Sequence, residues 1–111
     1  MPLSDALWKR MIVIPFIRIC DMPRNLDLAS VRSFVTVADV GGVTRAAGYL
    51  NLTQSAVSMQ IKRLEEALGL SLFLRAARKL VLSPEGGQLL SYGRRMLALN
   101  DEALNLLTSA S

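Results

Sequence analysis

The stretch from 44 to 69, "TRAAGYLNLTQSAVSMQIKRLEEALG", constrains the fold more than any other part of the chain. Two apolar stripes at helical spacing are separated there by Asn51, Leu52 and Thr53 alone. Ala46, Ala47 and Leu50 form the first stripe; Val57, Ile61, Leu64 and Leu68 form the second. Asparagine tolerates the left-handed backbone of a tight turn, and a threonine hydroxyl can accept from a free amide at a helix start. The reading is a short helix over 45–50 capped by Thr44, then a longer one over 54–68 capped by Thr53 and stopped by Gly69.

The flanks extend this pattern. Leu28, Val31, Phe34, Val35 and Ala38 predict an amphipathic helix over 28–40, ended by Gly41-Gly42. "LSLFLR" (70–75) and "KLVLS" (79–83), joined by a polar link, predict a small antiparallel hairpin. Ser83-Pro84-Glu85 then reads as a helix start: a capping hydroxyl, a proline at the first helical position and an acid at the positive helix end. The final helix runs from 85 to about 108. Its stripes Leu90-Leu97-Leu104 and Leu89-Met96-Ala103 make an apolar face wider than so small a domain can cover. Those six residues and Leu107 are the expected dimerisation contacts. The fold class that follows is mainly α: a winged helix-turn-helix of three helices and a two-stranded wing, then a long linker helix. The chain divides into an extension at 1–25, a winged helix-turn-helix at 26–83 and the linker helix at 84–111.

Composition narrows the chemistry. The 111 residues suit one domain, and half of them are apolar. Thirteen basic against nine acidic residues leave a formal charge of +4, which suits an anionic partner without identifying one. There is no histidine and one cysteine, Cys20. An intrachain disulfide, a zinc finger and a histidine-based triad are thereby excluded, and no metal or cofactor is expected. Near the N-terminus, Lys9 and Arg10 precede the apolar run "MIVIPFIRIC". The run is about half of the ~20 residues that span a bilayer, and Pro15 and Arg18 interrupt it. No small-residue cleavage site follows, so neither an export signal nor a membrane span is expected. An extra strand or helix, a loosely ordered extension and a start at Met22 remain as readings.

The chemistry of interest lies on the 54–68 helix. Gln54, Ser55, Ser58, Met59 and Lys62 fall opposite its apolar stripe. The second helix of such a motif presents its N-terminal residues to base edges in the major groove. Glutamine can pair bidentately with adenine, and serine serves several bases. The helix start attracts phosphate through its free amides, and Lys62 with Arg63 extends the positive field. The plainer reading is a solvated polar face; the adjoining turn and short helix weigh against it. Arg75, Arg78 and Lys79 cluster at the hairpin, where arginine can touch phosphates or enter a narrow minor groove. A solubilising turn is the plainer reading there too, and Arg75 alternatively anchors the hairpin to the domain.

Residues 26 to about 107 resemble the N-terminal DNA-binding region of the LysR-type transcriptional regulators. The likeness is carried by "TRAA", by "TQSAVS" followed by "QI", "LE", "LG", "LF" and Arg75, and by the later "LSPEG". It implies sequence-specific binding of double-stranded DNA at an interrupted, pseudo-palindromic promoter site, by a homodimer paired through its linker helices in the bacterial cytoplasm. By motif position it implies base or nearby backbone contacts from Gln54, Ser55, Ala56, Ser58 and Met59, and wing contacts from Arg75 and Arg78. Thr44 and Thr53 become phosphate contacts. Two substitutions depart from the family pattern. Met59 stands where relatives often carry arginine or another polar residue, and Ser55 where proline is common. A methionine can pack on a thymine methyl but cannot pair bidentately with guanine. The family's longer effector-binding domain is not expected within this sequence, so no small-molecule effector is expected either. An alternative is a truncated regulator that pairs with full-length relatives. Enzymatic activity is not expected: the paired carboxylates Glu65-Glu66 sit late on the helix, where a solvated face or a local ion pair is the simpler role.

Overall fold

The computed structural model describes residues 25–76 and 79–109. The elements run α1 (Leu28–Val40), α2 (Val43–Leu50), α3 (Gln54–Leu68), β1 (Phe73–Ala76), β2 (Lys79–Leu82) and α4 (Pro84–Ser109). Winged helix-turn-helix order and the long terminal helix are both as expected. Residues 1–24 of the extension, Cys20 among them, lie outside the described residues, as do residues 77, 78, 110 and 111.

Local chemistry sets each boundary. Asp27 caps α1 by accepting from the amide of Ala29 and from the Ser30 hydroxyl. Gly41 ends α1 at φ 84°, and Asn51 ends α2 at φ 56°, a left-handed position that asparagine tolerates better than most side chains. Thr53 caps α3, its hydroxyl accepting from Ala56 N at 3.0 Å, and Gly69 closes that helix at φ 71°. Thr44 departs from expectation. The N-cap of α2 is Gly42, with no side-chain cap bond, and Thr44 lies inside the first turn. The chain re-enters a helix two residues earlier than the threonine would require.

The hairpin is also shorter at its start. Phe73 pairs with Leu82 and Ala76 with Lys79, but residues 70–72 stay outside the ladder. Glu65 explains this: its backbone carbonyl accepts from Leu70 N, and its carboxylate accepts from Leu72 N at 2.9 Å. Those amides are thus satisfied by α3 and have no need of a strand partner. Glu65 is half-buried and, among the described residues, pairs with no cation; it ties the wing's root to α3.

The core draws on every helix. Val31, Phe34 and Val37 meet Ala46, Val57, Leu64 and Leu72, each at most 2% exposed. The Phe34 and Phe73 rings pack at 5.3 Å between centroids, a tilted pair that brings the wing onto α1. Buried polar groups are satisfied: Ser33 donates to the Gln60 side-chain carbonyl, and no described buried side-chain N or O lacks a partner. Ser83 is the densest junction. It donates to the carbonyls of Ser71 and Leu72 and accepts from Gly86 N at 2.9 Å, capping α4.

α4 starts as part of this core and ends outside it. Gly86 crosses so close to Leu72 that a Cβ there would stand 2.1 Å from the Leu72 carbonyl oxygen. At Gly93 a Cβ would lie 3.1 Å from both Val31 and Val35. Leu89 and Leu97, expected at a dimer interface, are instead buried in the chain's own core. Leu90 and Met96 pack partly against it, while Ala103, Leu104 and Leu107 are exposed. The glycines account for the difference: without side chains at 86 and 93, α4 sinks against its own domain and covers half of the face read as surplus.

Candidate nucleic-acid interface

α3 is held at both ends and along one side. Thr53 caps its start, Gly69 its end, and Val57, Ile61 and Leu64 are buried. The Ser33–Gln60 bond adds a directional tie to α1, which fixes rotation about the helix axis in a way apolar contact alone does not. The opposite side is open. Gln54, Ser55, Ser58, Met59 and Lys62 are all exposed and together line a shallow groove. A second groove, on the other flank, is lined by Thr53, Ser55, Ala56, Met59, Gln60 and Arg63. Ser55 and Met59 border both grooves, so they form the crest of the helix. Met59 is 56% exposed.

The other expected contacts are distributed unevenly. Ala56 is half-buried and its amide already serves the Thr53 cap, which leaves its methyl as the contact surface. Thr44 is exposed on the first turn of α2 beside Arg45, where it can meet a phosphate without acting as a cap. Arg75 is exposed on β1 opposite Leu80, and among the described residues no ion pair or side-chain hydrogen bond anchors it. The anchoring role considered for Arg75 thus has no support. Arg78 lies outside the described residues. No acid sits on the first nine residues of α3; Glu65 and Glu66 come later, and Glu65 faces Leu72. The open face is therefore polar or basic apart from Met59, with the positive end of the helix leading.

α4 carries a different open face. Tyr92, Met96, Leu99, Ala103 and Leu106 recur at alternating steps of four and three, the spacing of a coiled-coil seam. Tyr92 is 59% exposed, Leu99 64% and Leu106 66%. Arg95 lies over the Tyr92 ring at 4.9 Å. Leu99 and Leu106 escaped the sequence reading because the stripes through Leu89 and Leu97 have the same period. Only the docking of α4 separates the inward stripe from the outward one. Among the described residues no cluster of carboxylate, cysteine or histidine side chains could hold a metal, and no helix is long and apolar enough to cross a membrane.

A capped, rigidly held helix with a polar crest, beside a two-stranded wing, defines a winged helix-turn-helix protein. The sequence model described as "Bacterial regulatory helix-turn-helix protein, lysR family" matches residues 28–87, and the chain belongs to that family. The transcriptional regulator PecT of Dickeya dadantii is 48% identical over 79 residues, 71% of this chain and 25% of that protein. The regulator DgdR of Burkholderia cepacia is 43% identical over 81 residues, 73% of this chain and 28% of that protein. The chain thus spans about a quarter of the length of these relatives. Among solved structures, the BenM DNA-binding domain in complex with the catB site 1 DNA is similar at TM-score 0.70 and 32% identity, over 75% of this chain and 92% of that one. The CbnR DNA-binding domain in its DNA complex is similar at TM-score 0.68 and 28% identity, over 76% of this chain and 97% of that one.

Proposed function

We propose that the chain binds double-stranded DNA sequence-specifically as a homodimer and regulates transcription from an interrupted, pseudo-palindromic site in the bacterial cytoplasm. The observation that carries this reading is the open face of α3: five exposed polar or adaptable side chains with no internal partner among the described residues, on a helix fixed at both ends. In this reading the N-terminal half of α3 enters the major groove. Gln54 pairs with a base, Ser55 and Ser58 contact bases or nearby backbone, and Met59 packs on a thymine methyl. Thr44, Thr53 and Lys62 meet phosphates, and Arg75 and Arg78 extend the contact from the wing. Phosphate contacts supply much of the affinity and its salt dependence; base contacts supply the specificity.

The homodimer reading rests on the α4 seam. A second copy is the occupant that a heptad-spaced apolar face suits best, and the seam continues past the domain through residues 102–109, all exposed. The same seam also supports pairing with longer relatives; dimerisation without DNA binding favours that second reading. The test of base reading is Gln54→Ala on a selected site and on random duplex. The expected loss of discrimination is about 1–3 kcal/mol at one base pair. Equal weakening on both duplexes overturns the assignment.

A further inference from the structure

α4 is fastened to α1 by two ion pairs. Arg94 donates to both carboxylate oxygens of Asp39, at 2.6 and 3.3 Å. Arg32 donates to Asp101 at 2.8 Å. Arg32 and Asp39 are seven residues apart on α1, as are Arg94 and Asp101 on α4, so the two bonds are two helical turns apart on each helix. Gly93, pressed on Val31 and Val35, adjoins Arg94 at one end of that span. The polarity is crossed. α1 supplies the cation of one pair and the anion of the other, so a slide that brought Arg32 towards Arg94 or Asp39 towards Asp101 would oppose like charges.

All four side chains are about half exposed, between 42% and 53%. Pairs of that kind add little to stability. What two pairs at separate points do provide is direction: they add two directional ties across α1 and α4 to the apolar docking of Leu89, Gly93 and Leu97, and so sharpen the tilt that this non-directional packing sets. On the α-helical wheel the clamp residues and the Tyr92–Leu106 seam lie on opposite flanks of the docked stripe of Leu89, Gly93 and Leu97. The clamp therefore stays accessible to solvent when the seam is covered.

We infer that Asp39, Arg94, Arg32 and Asp101 are positioning residues that set the half-site spacing the dimer accepts. This rests on the dimeric DNA-binding reading above. If two chains join through α4, each recognition helix sits at the end of a lever whose angle is the α1–α4 tilt. The domain and α4 together are 58 Å along their longest axis. Over about half of that length, a 10° change of tilt moves a recognition helix by roughly 5 Å, or one to two base pairs at ~3.4 Å each. Paired binding is lost when geometry forbids simultaneous engagement, so a well-defined tilt narrows the tolerated spacings.

The test uses the half-site recovered by selection, placed twice in a duplex with the separation stepped one base pair at a time. The chain is expected to favour one spacing at least about tenfold over a site two base pairs longer, and Arg32→Ala with Arg94→Ala to reduce that preference below about threefold. Dimerisation in sedimentation, the melting temperature and affinity for a single half-site should be unchanged in the variant. The charge exchange Asp39→Arg with Arg94→Asp, made in the otherwise intact chain, should keep the original preference. A spacing preference that survives loss of both pairs, in a variant that still dimerises and binds, overturns the inference alone. A chain that stays monomeric or binds no duplex overturns the dimeric reading and the inference with it.

Discussion

α3 and α4 are both amphipathic helices on one small core, yet they leave opposite chemistry uncovered. α3 buries Val57, Ile61 and Leu64 and exposes glutamine, serines, a methionine and a lysine. α4 buries Leu89 and Leu97 and exposes Tyr92, Leu99, Leu104, Leu106 and Leu107. An open polar face whose donors and acceptors have no internal partner suits hydrogen-bonding edges and phosphates. An open apolar face at heptad spacing suits a like helix. The proposed function gives DNA to one helix and a second copy to the other, and each half of that proposal can be broken separately.

The largest expected effect is on the α4 side. Leu99→Glu with Leu106→Glu places charge in the seam without touching the core. The variant should be monomeric in sedimentation and lose about a hundredfold or more in affinity for a two-half-site duplex, with single half-site affinity retained. Dimers that persist in this variant place the interface elsewhere. A smaller effect is expected at the wing. Arg75→Ala should weaken binding to all sequences alike and reduce the salt slope by about 1, read from affinity against salt concentration. An unchanged slope makes Arg75 a surface charge with no phosphate.

The smallest effect concerns the join between the two helices. Hydrogen bonds from Arg32, then from Asn100, hold the Asp101 carboxyl below its ordinary 3.8. A lowered carboxyl favours the fold above about pH 4, and that contribution is lost as pH falls through the folded value. An NMR titration of Asp101 should therefore show a midpoint below 3.8 that returns towards it in Arg32→Ala. A midpoint that ignores Arg32 removes that ion pair from solution.

Much of this arrangement was legible in the sequence, for physical reasons that differ by element. The α2–turn–α3 unit was readable because its determinants are local: Asn51 for the left-handed turn, Thr53 for the cap and Gly69 for the stop. The crest of α3 was readable because a single buried stripe leaves no choice about which side faces out. Thr44 was misplaced because two potential N-caps, Gly42 and Thr44, stand within three residues, and local chemistry alone favours the hydroxyl. Glu65 was missed because its partner, the Leu72 amide, is set by how the chain folds back after α3. On α4 the error came from periodicity itself. Several stripes share one repeat, and only Gly86 and Gly93, which admit close contact with Leu72 and α1, decide which stripe goes inward.

The central claim is that the crest of α3 reads base edges, and Met59 is its most exposed test. Selection from a random duplex library, run in parallel with the chain and with Met59→Arg, addresses it directly. Two related half-sites should be enriched in both cases, with preference at one position in each moving from thymine for Met59 towards guanine for the arginine. The same preferences from both proteins, or no enriched sequence from the unaltered chain, would contradict the claim.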